Sequence, residues 1–278
     1  MLSARWLTVA IVGACLALTA RAQAPREEDS ASRKRLEFME RTVGSFAVKS
    51  DQIKDAAGLK MVAKPILRYS DPTRGLTDQN VLVDATVWRL GESGRPTGLV
   101  TLEIYRVTAD ASILAYEFAS LSDARFTLEH KTNDKIAWDA TGSALTVKPL
   151  EGAPAPAKTG PGRLTQMRQL ARRFTVHETV NDQVIECRLL SQPIDRYRSE
   201  RDEIDDGALF AFANGTNPEI GLTLECGKAG WKYGTLRLSA ADVVVKLDGR
   251  EVAQYAKVDS RQRQGSYTSN QEPIELPK

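Results

Sequence analysis

Apolar and polar side chains alternate with a period of two through most of the chain, the pattern of strands with two unlike faces. Val100, Leu102 and Ile104 alternate with Thr101, Glu103 and Tyr105, and 220–225 repeats the alternation. The pattern predicts strands over 45–49, 59–69, 81–90, 99–107, 113–121, 125–130, 136–139 and 145–147. It predicts more over 175–179, 184–194, 208–213, 219–226, 231–239 and 243–247. Pro65 implies an edge or a bulge in the second of these. A sheet with one wet face would leave Glu103 and Glu225 exposed. The period changes to that of a helix at two places. Over 33–43, Leu36, Met39 and Val43 share a face, with Ser32 as cap and Gly44 as stop; over 163–174, Leu164, Met167, Ala171 and Phe174 share one. Residues 92–96 and Asn214-Gly215 read as turns.

The same order occurs twice. At an offset of 122, Asp84 falls on Asp206, Trp88 on Phe210, Leu90 on Phe212, Pro96 on Pro218 and Thr101-Leu102-Glu103 on Thr223-Leu224-Glu225. At 128, Leu36, Met39, Phe46 and Val48 fall on Leu164, Met167, Phe174 and Val176, and Pro65, Ile66, Arg68 and Tyr69 on Pro193, Ile194, Arg196 and Tyr197. At 117, Tyr116 and Leu121-Ser122 meet Tyr233 and Leu238-Ser239. The offset changes only in loops, as a tandem duplication requires. The expected fold is α+β, mainly antiparallel β, in two tandem copies of a helix followed by an antiparallel meander. The organisation that follows is a signal peptide at 1–24, a disordered stretch at 25–32 and a first unit at 33–150. A Pro/Ala/Gly connector at 151–162 leads to a second unit at 163–257 and a flexible polar tail at 258–278.

The leader carries Arg5, an apolar run over 7–20 and the small-x-small site Ala22-Gln23-Ala24, which reads as a secretory signal peptide. A rival reading takes Val12-Gly13-Ala14-Cys15 as a lipoprotein site with Cys15 lipidated. After signal removal no segment is long and apolar enough to be transmembrane. The formal charge of +2 resides in Arg5 and Arg21, leaving 36 basic against 36 acidic residues beyond the leader. That balance argues against nucleic acid as a partner and leaves an envelope protein or an apolar ligand. The expected location is periplasmic or extracellular.

Chemistry-bearing residues are sparse. His130 and His177 are the only histidines, and His177-Glu178 lacks the second histidine of a zinc-protease motif because Asn181 stands there. Asp202, Asp205 and Asp206 suggest a calcium loop, but Ile204 and Ala213 stand at ligand positions of an EF-hand. The bland reading is an acidic loop facing Arg163, Arg168, Arg172 and Arg173. Cys187 and Cys226 permit a disulfide in an oxidising compartment, yet their counterparts are Leu59 and Ile104, which marks both as core positions. Asp84 and Asp206 are equivalent aspartates of the kind that meet in a two-lobed aspartic protease, without the Asp-Thr/Ser-Gly such a site uses. Arg68 and Arg196 recur in register with them, so structural ion pairs Arg68–Asp84 and Arg196–Asp206 are the preferred reading. No cofactor is implied.

The run LRYSDP at 67–72, GRP at 94–96, EGAPAP from 151, RLTQMRQLARRF at 163–174 and DGALFAFANGTNPE at 206–219 resemble an uncharacterised family of exported planctomycete-type bacterial proteins. The resemblance implies export and duplication and carries no activity, substrate or catalytic residue. The leading functional expectation is therefore a non-enzymatic exported protein that binds a partner or serves as envelope scaffold. A first alternative is a carrier of an apolar ligand, similar in architecture to the half-barrels of periplasmic lipoprotein carriers, with a site lined by Trp88, Phe210, Phe212, Leu102 and Leu224. A second is a hydrolase using Asp84 and Asp206.

Overall fold

Among the described residues, two helices pack on antiparallel sheets, and the two larger sheets share a core through their opposite faces. The computed structural model describes residues 30–71, 81–258 and 262–276. The leader, its cleavage site and Cys15 lie outside the described residues. The elements run α1 (Ser30–Gly44), β1 (Phe46–Lys49), β2 (Leu67–Asp71), β3 (Val81–Leu90), β4 (Gly98–Arg106), β5 (Ser112–Ser120), β6 (Phe126–His130), β7 (Asn133–Ala140) and β8 (Thr146–Pro149). They continue α2 (Gly160–Ala171), β9 (Phe174–Val180), β10 (Gln183–Leu189), β11 (Asp195–Ser199), β12 (Ile204–Asn214), β13 (Asn217–Gly227), β14 (Gly230–Arg237), β15 (Asp242–Leu247), β16 (Arg250–Tyr255) and β17 (Tyr267–Ile274). The fold is mostly antiparallel β, with a curled half-barrel sheet.

The ladders explain the curl. The large sheet has the order β16-β15-β9-β10-β12-β13-β14-β8, with β11 also on β12; a five-stranded sheet has the order β17-β5-β4-β3-β2, and β1-β6-β7 forms a third. On one face of the large sheet, Phe210, Leu222, Leu224, Tyr233 and Val245 pack on Met167, Leu170 and Ala171 of α2. In the first half, Trp88, Val100, Leu102, Tyr116 and Leu128 pack on Met39 and Val43 of α1. A third core joins the opposite faces: Ala85, Val87, Leu99 and Ala119 from one sheet meet Leu209, Ala211 and Leu236 from the other. The central strands are thus covered on both sides, which is why β12 and β13 are buried nearly from end to end.

This layering overturns one expectation. Glu103 and Glu225 are 4% and 2% exposed, not solvated. Their alternation was real, but the polar face of each strand turns to the other sheet rather than to water. Two further expectations fail for local reasons. The strand expected over 184–194 stops with β10 at Leu189, and β11 begins only beyond Pro193; that expected over 59–69 keeps only β2, preceded by a 3-10 turn over Ala56–Leu59. Ser32, expected as a cap, lies inside α1, where its carbonyl and hydroxyl oxygens both accept from Arg68.

The polar C-terminal stretch, expected to be a flexible tail, contains β17. Its residues Tyr267–Ile274 pair antiparallel with β5 in continuous register. Alternation there is masked by Asn and Glu at positions that bond to neighbours: Glu272 accepts from Tyr116 and Asn133, and Asn270 donates to the Lys135 carbonyl. β8, from before the connector, pairs instead with β14 of the large sheet. Each sheet therefore ends in a strand drawn from the other half of the sequence. The connector closes on α2 with Thr159 as cap, its side chain accepting from the Gly162 amide, and Pro161 in the first turn.

Candidate functional site

Charged side chains concentrate at three kinds of place: beside each helix, between the sheets, and in a groove where the halves meet. Beside α2, Asp206 opens the buried part of β12 and is 1% exposed. Arg196 donates to it from β11 through Nε and Nη2 at 2.9 and 2.7 Å, and Arg163 donates from α2 through Nε at 2.8 Å. Burial would push this carboxyl up, but the hydrogen bonds from Arg196 and Arg163 outweigh it and hold it below its ordinary value. Beside α1, Asp84 accepts from Arg68 through Nε and Nη2 at 2.9 and 2.7 Å, and from Arg35 Nε at 3.1 Å. Arg35 and Arg163 stand 128 residues apart, as Arg68 and Arg196 do. Sequence reasoning found the strand arginines, set Arg163 only among four arginines facing the acidic loop, and missed Arg35, although the shared offset would have pointed to it.

Asp84 and Asp206 are not brought together. Asp84 shares its face of β3 with Trp88, and Asp206 its face of β12 with Phe210, so each points to its own helix with both sheets between them. A shared proton between these carboxylates is thereby ruled out. The acidic residues weighed for calcium are also parted. Asp202 accepts from the Ser199 hydroxyl at 2.6 Å, Asp205 is exposed, and Asp206 is turned inward to its arginines. Of the four helix arginines expected to face this loop, Arg163 alone bonds to one of its carboxylates; Arg173 pairs with Asp248 and Arg168 with Gln192. Among the described residues, no group of three or more His, Cys, Asp or Glu is placed to hold a metal ion.

The five residues expected to line an apolar site are core. Trp88 and Leu102 are at most 1% exposed under α1, and Phe210, Phe212 and Leu224 at most 2% under α2. Of these, Phe212 also borders an open hollow between β9, β10 and β12. Cys187 and Cys226 are not joined by a disulfide and are buried in the same core, and burial pushes the Cys226 thiol up to about 11, which makes it a poor nucleophile at neutral pH.

Between the sheets the buried glutamates are met by tyrosines. Tyr69 Oη donates to Glu103 and Tyr197 Oη to Glu225, each at 2.7 Å. The Tyr197 ring lies so close to Gly207 that a side chain there would collide with it. Further in, Tyr267 donates to Glu117 at 3.0 Å, while Arg237 stacks over the Tyr267 ring and bonds to the carbonyls of Ser239, Ala241 and Ala256. Burial, with Glu103 and Glu219 nearby, raises the Glu117 carboxyl well above its usual range.

The halves also clasp each other through their central hairpins. The turn after β3 carries Arg95 to Glu225, with Nε and Nη2 each 2.7 Å from a carboxylate oxygen. The turn after β12 carries Thr216, whose hydroxyl donates to the Ser70 carbonyl at 2.7 Å. Arg89 of β3 donates to Asp195 of β11 at 2.7 Å with both side chains nearly buried. A cavity of about 670 Å3 opens beside Arg95 and Glu225, and a second of about 240 Å3 continues on the other side of Arg95. This groove draws its walls from both halves. Among the described residues, no helix is long and apolar enough to cross a membrane. Comparison with protein-family models, with curated proteins and with solved structures finds no match to the chain.

Proposed function

We propose that the chain is an exported binding or envelope-scaffold module of the resembled planctomycete-type family, built by tandem duplication of one helix-on-sheet unit. The duplication is supported by register as well as by sequence. Phe46 faces His130 and Phe174 faces Leu247; Arg68 faces Thr86 and Arg196 faces Ala208; Glu103 faces Ala115 and Glu225 faces Lys232. Each member of the second pair lies at the offset expected from the first. Unrelated segments have no reason to agree in ladder register, because a slip of one residue would turn every side chain to the other face.

One observation carries the functional reading. Of the charged residues that recur in both halves, Arg35/Arg163, Arg68/Arg196 and Asp84/Asp206 hold a helix to its sheet, and Glu103/Glu225 bond to tyrosines between the sheets. What the duplication preserves is a rigid framework, and what differs between the halves is the groove at Arg95. A framework with one asymmetric groove suits recognition. Export is inferred from the leader, with its apolar run over 7–20 and its small-x-small site.

Native mass spectrometry of the protein taken intact from its own cell envelope tests this. The expected result is a chain beginning at Pro25, carrying no lipid and co-purifying with a bound molecule or envelope partner. A chain that retains its leader in the cytoplasm would refute export. Turnover of a substrate that survives replacement of the groove residues would refute the binding reading.

A further inference from the structure

The inner faces of the two sheets carry one polar position that the halves finish differently. In the first half Glu103 accepts Tyr69 on Oε1 and Tyr105 on Oε2, at 2.7 and 2.9 Å. Tyr105 lies two residues beyond Glu103 on the same strand, opposite Leu82 on β3 and Ile113 on β5, and packs on the core between the sheets. In the second half Glu225 accepts Tyr197 on Oε1 in the same way, but the residue two positions on is Gly227. A side chain at 227 would run into the carbonyl oxygen of Glu203, so this half cannot supply a ring of its own.

A cavity of about 670 Å3 lies there instead, a size ordinary for a small-molecule site. Its walls include Leu145, Val147 and Ile204, the last at the place of Leu82, and Glu225 lies among its lining residues. Arg95 reaches Glu225 from the other half and donates to both oxygens. With Tyr197 this makes three hydrogen bonds to a carboxylate that accepts about four. Oε1 takes two of them and Oε2 one, so Oε2 has room for another donor. The first half uses the matching oxygen for the Tyr105 hydroxyl.

We propose that this cavity binds a 4-hydroxyphenyl group, its ring between Ile204 and Leu145 and its hydroxyl donating to Glu225 Oε2, as Tyr105 does within the first half. The inference goes beyond the module reading and depends only on the geometry of the two glutamates. The group could belong to a free phenol or to a tyrosine in an extended peptide, since the groove continues past Arg95 along Pro96 and Thr97. The recognised chemistry is the same.

The test titrates the full mature chain with p-cresol, with toluene and with acetyl-Gly-Gly-Tyr-Gly-Gly-amide, following backbone amides by NMR. The expected result is saturable shifts at 204 and 225–230 with p-cresol, and at least about tenfold weaker binding of toluene, which lacks the donor. A peptide that binds more tightly than p-cresol assigns the site to a tyrosine side chain, and one that binds no better assigns it to a free phenol. Lys232→Trp, opposite Glu225 on the same face of the sheet, fills the cavity from its exposed rim, so it is expected to weaken p-cresol about tenfold or more while the chain stays folded. Absence of saturable binding by the unmodified chain overturns the proposal. So does equal affinity in a folded rim variant, or equal binding of toluene.

Discussion

Replacing Asp206 by alanine removes the acceptor of three hydrogen bonds and leaves two guanidinium groups facing each other beside α2. The carboxylate side chain is 1% exposed, Arg163 13% and Arg196 36%. Breaking a fully buried ion pair by deleting one partner costs roughly 3–5 kcal/mol, because the remaining charge cannot be rehydrated. Here Arg196 reaches water and relieves part of that cost, so the expected loss is about 3 kcal/mol. In a chain of this size about 1 kcal/mol moves the midpoint by roughly 2–4 °C, so Tm should fall by about 6–12 °C. Asp84→Ala should cost about the same, with Arg35 15% and Arg68 25% exposed. Urea unfolding of both single variants and of the double variant is the assay. The clamps share no partner and lie on opposite outer faces, so their costs should add to within about 0.5 kcal/mol. A loss below about 1 kcal/mol for Asp206→Ala would refute the structural role assigned here, as would an Asp206→Ala/Arg196→Ala cycle with no coupling.

Two further outcomes follow from the buried polar layer and the exchanged strands. Glu117 faces Glu103 from β4, Tyr267 from β17, Glu219 from β13 and Arg237 from β14, and its carboxyl is raised. A raised carboxyl contributes its stability below the unfolded value of about 4.3 and loses it as pH rises through the folded one. Thermal melts should therefore show Tm rising as pH falls from neutral to about 5, then dropping below about 4 as the depressed Asp206 is protonated. Glu117→Gln should flatten that rise and stabilise the chain near pH 7 by about 1–2 kcal/mol; an unchanged profile would contradict the assignment. Ending the chain after Gly265 removes β17 and should expose β5, so hydrogen exchange should show β3–β5 losing protection before β12–β13. Uniform loss across both sheets would contradict it.

Much of the fold is written in the alternation, because a strand buried on one face must separate its apolar and polar residues. The central hairpin β3–β4 and the strands β12–β14 follow it closely. The alternation says which residues share a face, and it does not say what that face meets. Thr101, Glu103 and Tyr105 look like a wet surface in isolation; they are dry because a second sheet with its own glutamate and tyrosine closes over them. β17 was hidden for a related reason. Its Asn270 and Glu272 are polar, yet they sit at the seam facing β7, where side-chain hydrogen bonds take the place of apolar packing. The two aspartates were legible as partners of Arg68 and Arg196, since charges that recur together in register must be near each other. Arg95 left no such trace. Its partner Glu225 lies in the other half, and its own counterpart is Asn217.

That asymmetry bears on how the two halves are held. β8 completes the sheet of the second half and β17 completes that of the first, through ladders that match: Thr146 faces Thr235 and Thr268 faces Phe118, Pro149 faces Lys232 and Gln271 faces Ala115. A single unit folded alone would lack its edge strand and would leave the inner face of its sheet, with a buried glutamate, open to water. On the proposed duplication, the arrangement suits a unit that first met a second copy of itself, each lending the other a strand. On that same proposal, once both copies shared one chain, the contacts between them no longer had to be identical. Gly227 could then replace a tyrosine, and Arg95 could cross to Glu225, without the same change being forced on the other side. The groove is where the sequence has used that freedom, and it is where binding should be sought first.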